Sequence, residues 1–299
     1  MKNKIGIVGQ GFVGTAVKEG LKTFFDIETH DIAKESTCDT LHEICEKCNI
    51  IFVCLPTPMK DDGSCYVGIV EEVLEKINAL SGLCKTVIVK STIPPGTTAK
   101  WNIMFEHIDI VFNPEFLTEA NSVNDFKNQS RIIIGGPKAA ASKVRRVFVK
   151  AFPKVKTDST YAEMVKYITN SFLAMKVSFA NEMYQICNGL DIDYDKVVEY
   201  AMHDERLGYS HWSVPGPDGD LGYGGHCFPK DVKALINVAH ELNVSPRMLT
   251  ATDMKNNDVR NDRDWEGMEG RAVWSESNKE EKPTNPLDYL PPHDYQLDN

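Results

Sequence analysis

The stretch Lys4-Ile5-Gly6-Ile7-Val8-Gly9-Gln10-Gly11-Phe12-Val13-Gly14 decides the fold of this chain. A short apolar run ends in G-x-G-x-x-G, and a helical pattern follows it. In a strand–turn–helix unit, Gly9 allows a tight turn, Gly11 lets a pyrophosphate approach the backbone, and Gly14 lets the helix pack closely on the strand. The stretch therefore predicts the first unit of a Rossmann-type parallel sheet that binds a dinucleotide.

A carboxylate follows the second predicted strand. The run Ile27-Glu28-Thr29-His30 ends at Asp31, about 20 residues beyond the glycines. A carboxylate in this place accepts hydrogen bonds from an adenosine ribose, and it would repel the 2′-phosphate of NADP. The predicted cofactor is therefore NAD. Its predicted contacts in this part of the chain are Gly9, Gly11, Phe12, Val13, Gly14 and Asp31.

The alternation of strands and helices continues through the first half of the chain. Apolar runs that suit buried parallel strands stand at 50–55, 86–90, 108–112 and 131–134. Each run is followed by a polar or proline-containing loop, at 56–58, 91–97, 113–120 and 135–137. Ligands bind at the carboxyl ends of the strands in open α/β sheets, so Glu115 and Glu119 are expected on the cofactor side.

The second half of the chain is predicted to be helical. Residues 161–190 form one long apolar-periodic pattern, which is typical of a core helix or a dimer face. Lys166 and Asn170 lie four residues apart within it and so share one face. A second helix near 193–203 is followed by Arg206 and a long loop at 207–225. Loops of this length are usually functional or disordered, and the sequence at its end favours function.

That loop ends in Gly222-Tyr223-Gly224-Gly225-His226-Cys227-Phe228-Pro229-Lys230-Asp231. The glycines allow positive φ angles and close approach of a ligand. Cys227 precedes Pro229 at the start of an apolar-periodic helix, with a lysine three residues on. A thiol in this position is expected to have a depressed pKa, so Cys227 is a candidate nucleophile. His226 is expected to have a neutral role in the loop.

Composition sets bounds on the function. The chain has 299 residues, of which 42% are hydrophobic and 25% charged, as in a soluble protein of about two domains. A net charge of −10 argues against a nucleic-acid partner, and no apolar run is long enough to span a membrane.

Eight cysteines without a signal-peptide pattern favour reduced thiols and a cytoplasmic location. Cys45 and Cys48 have no second pair at metal-finger spacing, so no metal is expected. Residues 262–299 are acidic and proline-rich, which predicts a poorly ordered tail.

Taken together, these motifs resemble the UDP-glucose/GDP-mannose dehydrogenase family, in the family's order and over about residues 1–255. The motifs are 9–14, 56–58, 91–97, 113–119, Lys166-x-x-x-Asn170 and 224–231. The resemblance implies a Rossmann domain at 1–155, a central helical domain for dimerisation and catalysis at 156–258, and a tail at 259–299. It also implies a homodimer through the long helix. A full-length member continues into a second α/β domain that binds the nucleotide, and that domain is expected to be missing here.

The resemblance implies oxidation of a sugar C6 alcohol to a carboxylate, with UDP-glucose as the expected substrate and two NAD used in succession. Cys227 would capture the aldehyde, and Lys166 and Asn170 would stabilise the oxyanion. Asp231 with Lys166 would serve as acid and base, and Glu115 with Thr92 nearby would activate the hydrolytic water. Thr57, Thr92, Glu119 and Lys230 would also contact NAD. The implied substrate contacts are Glu115, Phe116, Leu117, Lys166, Asn170, Arg206, Tyr223 and Gly224.

Three alternatives stay open. The substrate could be GDP-mannose or UDP-N-acetylmannosamine within the same family. A 3-hydroxyacid dehydrogenase shares the Rossmann-plus-helical plan and uses a lysine on the long helix, but it needs no Cys227. A truncated NAD-binding module without catalysis is the third alternative. Ala120 also replaces a glycine usual in the family, which is a small change.

Overall fold

The apolar runs of the first half form one seven-stranded sheet in the computed structural model, which describes residues 4–80, 85–129, 131–148, 154–157 and 159–275. The strand order is β2-β1-β3-β4-β5-β6-β7. The strands are β1 Lys4–Val8, β2 Asp26–His30, β3 Ile50–Val53, β4 Lys85–Val89, β5 Ile108–Phe112, β6 Ile132–Gly135 and β7 Lys154–Thr157. The prediction of a Rossmann-type sheet is confirmed.

The sheet departs from the expectation at its far edge. Strands β1 to β5 are parallel, but β6 runs antiparallel to β5, with Phe112 opposite Gly135. Its carboxyl end therefore points away from the edge at which β1 and β3 end. The expectation that the loop 135–137 lies on the cofactor side is wrong for this reason. Strand β7 pairs parallel with β6 and is not predicted by the residue pattern.

Helices cover both faces of the sheet. They are α1 Phe12–Leu21, α2 Leu41–Lys47, α3 Gly68–Leu80, α4 Thr97–Met104, α5 Ser122–Lys127 and α6 Lys138–Val147. One hydrophobic core includes Trp101 and Leu74 on the face of α2, α3 and α4. The other includes Phe126 and Phe148 on the face of α1, α5 and α6. Because both faces are covered, the strands read as continuous apolar runs, as parallel strands buried on two sides do.

The second half is helical, as predicted. It consists of α7 Ser159–Gly189, α8 Tyr194–Ala201, α9 Phe228–Glu241 and α10 Arg247–Val259, with 3₁₀ turns at Glu205–Leu207 and Asp264–Gly267. Helix α7 packs against α8, α9 and α10 and also touches β5, β6 and α4. Among the described residues, none of the helices has the combination of length and apolar character that crossing a bilayer requires.

A buried carboxylate joins the two halves. Glu163 on α7 accepts hydrogen bonds from the Gly96 N–H at 2.5 Å, and from the N–H and hydroxyl of Thr98 at 2.8 and 2.5 Å. Gly96 and Thr98 lie at the start of α4, where backbone N–H groups lack helical partners and a negative charge is favourable. Since Lys166 follows Glu163 by three residues on the same helix face, this contact also fixes where Lys166 meets the sheet.

The long loop at 208–226 is held by amide side chains of the helices. Asn256 on α10 accepts from the Tyr223 N–H at 2.7 Å and donates to the Tyr223 carbonyl at 3.0 Å. Asn181 on α7 accepts from the Gly222 N–H at 3.2 Å. Gly222 has φ of +69°, which favours glycine. The loop is thereby anchored where it enters the helix that begins after Cys227.

Residues 262–275 fold back onto the first half of the chain. The Met59 N–H donates to the Ala272 carbonyl at 2.7 Å, and the Trp274 N–H donates to the Met59 carbonyl at 2.6 Å. The Trp274 ring stacks on Tyr66 with centroids 4.0 Å apart, and Trp265 is buried. The expectation of a poorly ordered tail is wrong for these residues, because aromatic side chains anchor an otherwise polar segment. Residues 276–299 lie outside the described part of the chain.

Candidate active site

One cavity of about 1490 Å³ opens at the carboxyl ends of β1, β2, β3 and β4. Both halves of the chain line it. Most of the predicted cofactor residues lie on its wall: Gly9, Gly11, Phe12, Val13, Asp31, Thr57, Thr92, Glu119 and Lys230. Of the predicted catalytic residues, Cys227, Glu115 and Thr92 line the cavity, whereas Lys166, Asn170 and Asp231 do not. The cavity therefore brings the glycine turn and the candidate nucleophile, which are about 200 residues apart in sequence, to one place.

The glycine turn fits a dinucleotide. Gly9 has φ of +89°, and a Cβ there would lie 2.5 Å from the Cys54 carbonyl oxygen. A Cβ at Gly14 would lie 1.9 Å from the Gly9 oxygen, so the helix and the turn are in direct contact. At Gly11, by contrast, a Cβ would meet no described atom within 4 Å. The open side of the turn at the start of α1 is thus left free for a pyrophosphate.

Asp31 is fixed at the end of β2 by backbone donors. Its carboxylate accepts from the N–H groups of Gln10 at 2.5 Å, Ala33 at 2.9 Å and Lys34 at 3.1 Å. A carboxylate has about four acceptor sites, so capacity remains for a ribose hydroxyl. The Lys34 amino group donates to the Gln10 carbonyl at 2.7 Å and also lines the cavity. These residues fit NAD, whose adenosine ribose the carboxylate would hold.

Glu115 and Lys166 form a buried ion pair. The Lys166 amino group donates to the Glu115 carbonyl oxygen at 2.6 Å and to its carboxylate at 3.0 Å, and the side chains are 4% and 8% exposed. The Leu117 N–H donates to the other carboxylate oxygen at 2.7 Å. Burial opposes both charges, but the partners outweigh it: the pKa of Glu115 is lowered and that of Lys166 is raised. Both groups are charged at neutral pH.

Asp231 forms the centre of a second buried group. It accepts from the Asn170 side-chain amide at 2.6 Å and from the Lys230 amino group at 2.6 Å. Burial lowers the pKa of Lys230, but Asp231, together with Cys65 and Cys227, more than offsets this, so the pKa of Lys230 is raised. Asn170 of α7 and Asp231 of α9, two of the predicted catalytic side chains, are therefore in direct contact.

The Cys227 thiol lies at the start of α9 and is partly buried. Burial raises its pKa to about 11, and the charges of Asp231 and Glu115 add to this, while Lys166 and Lys230 oppose it. The prediction of a depressed pKa is wrong for the protein without ligands. A helix start and a nearby lysine are visible in the sequence, but burial and the two carboxylates are not.

Three hydrogen bonds support the walls of the cavity. The Thr57 hydroxyl donates to the Thr92 carbonyl at 2.7 Å, which links the loops after β3 and β4. Lys90, at the end of β4, donates to the Asn113 side-chain oxygen at 3.1 Å and to the Pro114 carbonyl at 3.4 Å. Burial lowers the pKa of Lys90 to about 8. The residue pattern does not predict that Lys90 supports the loop 113–120. The position of Lys90 directly before the loop 91–97, at the carboxyl end of a strand, could have indicated a place near the site.

Four further predicted substrate residues are not on the wall of the cavity: Phe116, Tyr223, Gly224 and Arg206. Phe116 lies beside the buried pair, with the Lys166 nitrogen 5.4 Å from its ring centroid. Tyr223 is buried, and a Cβ at Gly224 would come within 2.3 Å of the Arg260 guanidinium, so the loop packs tightly there. The structure does not bring Arg206 to the cavity: its side chain is 89% exposed and pairs with Asp204.

Glu119 has partners that the sequence reasoning misses. Its carboxylate forms an ion pair with Arg271, which comes from the segment expected to be poorly ordered. The other carboxylate oxygen lies 3.5 Å from His226 Nδ1. The His226 ring packs edge-on against the Phe12 ring, with the ring centroids 5.4 Å apart. Burial lowers the pKa of His226, and Arg271 adds to this. A histidine in this state is neutral at neutral pH.

Models of two domains from one family match the chain. The NAD-binding domain of the UDP-glucose/GDP-mannose dehydrogenase family matches residues 28–152, and the central domain of that family matches residues 160–258. The chain belongs to this family. The UDP-glucose 6-dehydrogenase YwqF of Bacillus subtilis is 30% identical over 257 residues, covering 81% of this chain and 57% of that protein. The UDP-glucose 6-dehydrogenase of Pseudomonas aeruginosa is 32% identical over 241 residues, which cover 76% of this chain and 52% of that protein.

A solved structure supports the same family. The UDP-glucose dehydrogenase of Pyrobaculum islandicum superposes with a TM-score of 0.80 at 28% identity, covering 86% of this chain and 68% of that one. The matched NAD-binding domain contains strands β3 to β6 and most of the residues that line the cavity, which agrees with NAD as cofactor. The chain spans about half the length of the curated relatives it matches. Residues 259–275, including Arg271, lie beyond both matched domains.

Proposed function

We propose that the protein is an NAD-dependent dehydrogenase that oxidises the C6 alcohol of a nucleotide sugar to a carboxylate. The observation that carries the proposal is the position of Cys227, whose thiol lines the same cavity as the glycine turn and Glu115. UDP-glucose is the expected substrate, with UDP-glucuronate as product, because relatives from several organisms bear the name UDP-glucose 6-dehydrogenase. GDP-mannose and UDP-N-acetylmannosamine are the alternatives within the family.

In the first oxidation the alcohol loses a hydride from carbon and a proton from oxygen. Bound NAD would accept one hydride in each of the two oxidations. Asp231, through a water, would accept the proton. The Lys166 amino group carries its charge in a water-poor site, so it stabilises the negative charge that develops on the oxygen. The raised pKa of Lys166 favours this electrostatic role over that of a base.

Cys227 would then retain the aldehyde. The thiol sulfur bonds to the aldehyde carbon, and its proton passes to the aldehyde oxygen, which gives a thiohemiacetal. Loss of a second hydride from that carbon and of the hydroxyl proton gives a thioester. Lys166 and Asn170 would stabilise the oxygen in both steps. Because the pKa of the free thiol is about 11, the thiol proton must leave as the bond forms, with Lys166 stabilising the negative charge.

Hydrolysis of the thioester releases the product. A water attacks the thioester carbon and the carbon–sulfur bond breaks. The sugar carboxylate is released, and Cys227 returns to its thiol form. Glu115 would accept the water proton, with Thr92 on the adjoining cavity wall. Its lowered pKa means that the carboxylate is already ionised at neutral pH, as a base must be. One water and two NAD are consumed, and two NADH form for each sugar.

The test is a panel of nucleotide sugars monitored by NADH formation. UDP-glucose should release two NADH per sugar, and Cys227→Ala should abolish carboxylate formation. Cys187→Ala is the matched control, because Cys187 is buried in a separate hydrophobic cluster and is not on the cavity wall. NADH from no sugar in the panel would refute the activity and favour a non-catalytic NAD-binding module. Undiminished activity in Cys227→Ala would refute the cysteine route and favour a hydroxyacid dehydrogenase plan.

We also propose that the protein is a homodimer through α7. Ile168, Phe172, Phe179 and Ile186 recur at helical spacing along its length and are 49% to 56% exposed. A stripe of this kind on a 31-residue helix is typical of a subunit interface. Phe172→Glu should shift the protein to monomer in sedimentation velocity. Phe24→Glu is the control, since Phe24 is 51% exposed and lies after α1 in the NAD-binding half. A monomeric wild type would exclude the dimer.

A further inference from the structure

Residues 264–274 form a strap across one side of the cofactor cavity. Two hydrogen bonds between Met59 and the strap, at 2.7 and 2.6 Å, hold its end, and Trp274 stacks on Tyr66 there. Three successive strap residues, Glu269, Gly270 and Arg271, line the cavity. The strap lies beyond both matched family domains, so the family match assigns it no role.

The other end of the strap is held by a buried arginine. Arg260, whose side chain is 2% exposed, pairs with Asp218 at 2.7 Å and lies 3.6 Å from Asp264. The Asp264 carboxylate accepts from the Gly225 N–H at 3.0 Å, two residues before Cys227. The strap is thereby tied to the loop that carries the nucleophile as well as to the sheet.

Arg271 is the cation that the strap places in the cavity. Its guanidinium pairs with Glu119, and its guanidinium carbon lies 5.9 Å from the Phe12 ring centroid. Phe12 is the first residue of α1, the helix whose N-terminus receives the pyrophosphate in a dinucleotide fold. Arg271 and Glu119 are 45% and 53% exposed, and ion pairs this exposed contribute little, so the guanidinium can exchange Glu119 for a stronger anion.

We infer that Arg271 binds the diphosphate of the NAD cofactor and that the strap retains NAD in its cavity. Guanidinium groups match phosphate oxygens in geometry, and such charge-assisted hydrogen bonds are stronger than neutral ones. The inference concerns NAD binding alone and holds whichever sugar is oxidised.

A diphosphate could also come from the nucleotide sugar, so the test uses separate ligands. Binding of NAD, ADP-ribose, adenosine and UDP-glucose to the full chain is measured by calorimetry without turnover. Arg271→Ala should weaken NAD and ADP-ribose by about 10- to 100-fold, the usual effect of one hydrogen bond to a charged group. Adenosine and UDP-glucose should be unaffected, and Arg271→Lys should recover part of the loss.

The matched control is Arg263→Ala. Arg263 immediately precedes the strap, is 43% exposed and pairs with Glu266, but it is not on the cavity wall. The Arg263→Ala variant removes one positive charge, as Arg271→Ala does, and should leave NAD binding unchanged. Equal losses in Arg263→Ala and Arg271→Ala would reduce the effect to net charge and overturn the assignment. A loss for UDP-glucose but not for NAD would assign Arg271 to the sugar nucleotide instead.

A second variant tests the strap as distinct from its arginine. Trp274→Ala removes the ring stacked on Tyr66 and keeps Arg271. It should speed NAD dissociation several-fold in stopped-flow displacement. An unchanged rate in this variant would show that the strap does not retain the cofactor. Because binding is measured without sugar, failure of these experiments is distinguishable from failure of the proposed oxidation.

Discussion

Replacing Lys166 by Met tests the buried pair on which the site is built. The change removes the amino group that contacts the Glu115 carbonyl at 2.6 Å and its carboxylate at 3.0 Å. Glu115 itself is 7% exposed and keeps the Leu117 N–H as a hydrogen-bond donor. Removing one partner of a buried ion pair leaves an uncompensated charge and costs about 3–5 kcal/mol. Because a domain is stable by only about 5–15 kcal/mol, the loss should be easily measured.

The assay is urea unfolding of the full chain at neutral pH, followed by circular dichroism. Lys143→Met is the control, because Lys143 forms an exposed pair with Asp109 at 3.6 Å and its loss should cost below about 1 kcal/mol. The double variant Lys166→Met/Glu115→Gln removes both charges. It should be more stable than the sum of the two single changes predicts, by about 2 kcal/mol or more. A Lys166→Met protein no less stable than Lys143→Met would refute the reasoning.

Three further results are expected. Asp31→Ser should weaken NAD binding about tenfold and reduce the preference for NAD over NADP, as measured by titration with each; an unchanged ratio would count against the ribose contact. Iodoacetamide should alkylate Cys227 slowly at pH 7 and about tenfold faster for each pH unit up to its pKa of about 11, as followed by peptide mass spectrometry; a plateau below pH 8 would contradict this. The folded pKa of Lys90, about 8, lies below its usual value of about 10.4, so the unfolded chain binds more protons between these pH values. The free energy of unfolding of the wild type should therefore rise there relative to that of Lys90→Met, and parallel pH curves for the two proteins would exclude the depressed pKa.

The sequence could predict the plan of the molecule because local patterns encode it. The glycine turn, the buried strands and the long helix α7 each depend on neighbouring residues, through backbone freedom and apolar periodicity. The direction of β6 could not be read this way, since an apolar run looks the same whether its strand is parallel or antiparallel. The order of the strap is hidden from the sequence for a related reason: its composition is polar, and the contacts that anchor it, among them those of Trp265, Trp274 and Asp264, form only after folding.

The candidate site shows the same contrast between what the sequence encodes and what only folding brings together. Cys227, Lys166, Asn170, Asp231 and Glu115 are candidates that the motifs and the family resemblance select from the sequence, and their catalytic roles stay predictions. Their ionisation states depend on burial and on charges that come from other elements. Sequence patterns predict the wrong direction for the pKa shift of the Cys227 thiol, because they show neither its burial nor its two carboxylate neighbours, Asp231 and Glu115.

The sequence by itself determined the Rossmann plan and the dinucleotide turn, and it supplied the candidates for the reacting groups. Only the tertiary structure decided that Glu163 joins the halves, that Lys90 supports the loop before Glu115, and that Arg271 reaches the cofactor cavity. The physical reason is the distance along the chain over which each kind of interaction acts. Backbone conformation and hydrophobic periodicity act over a few residues, whereas ion pairs and burial join residues that are distant in the chain and close only after folding.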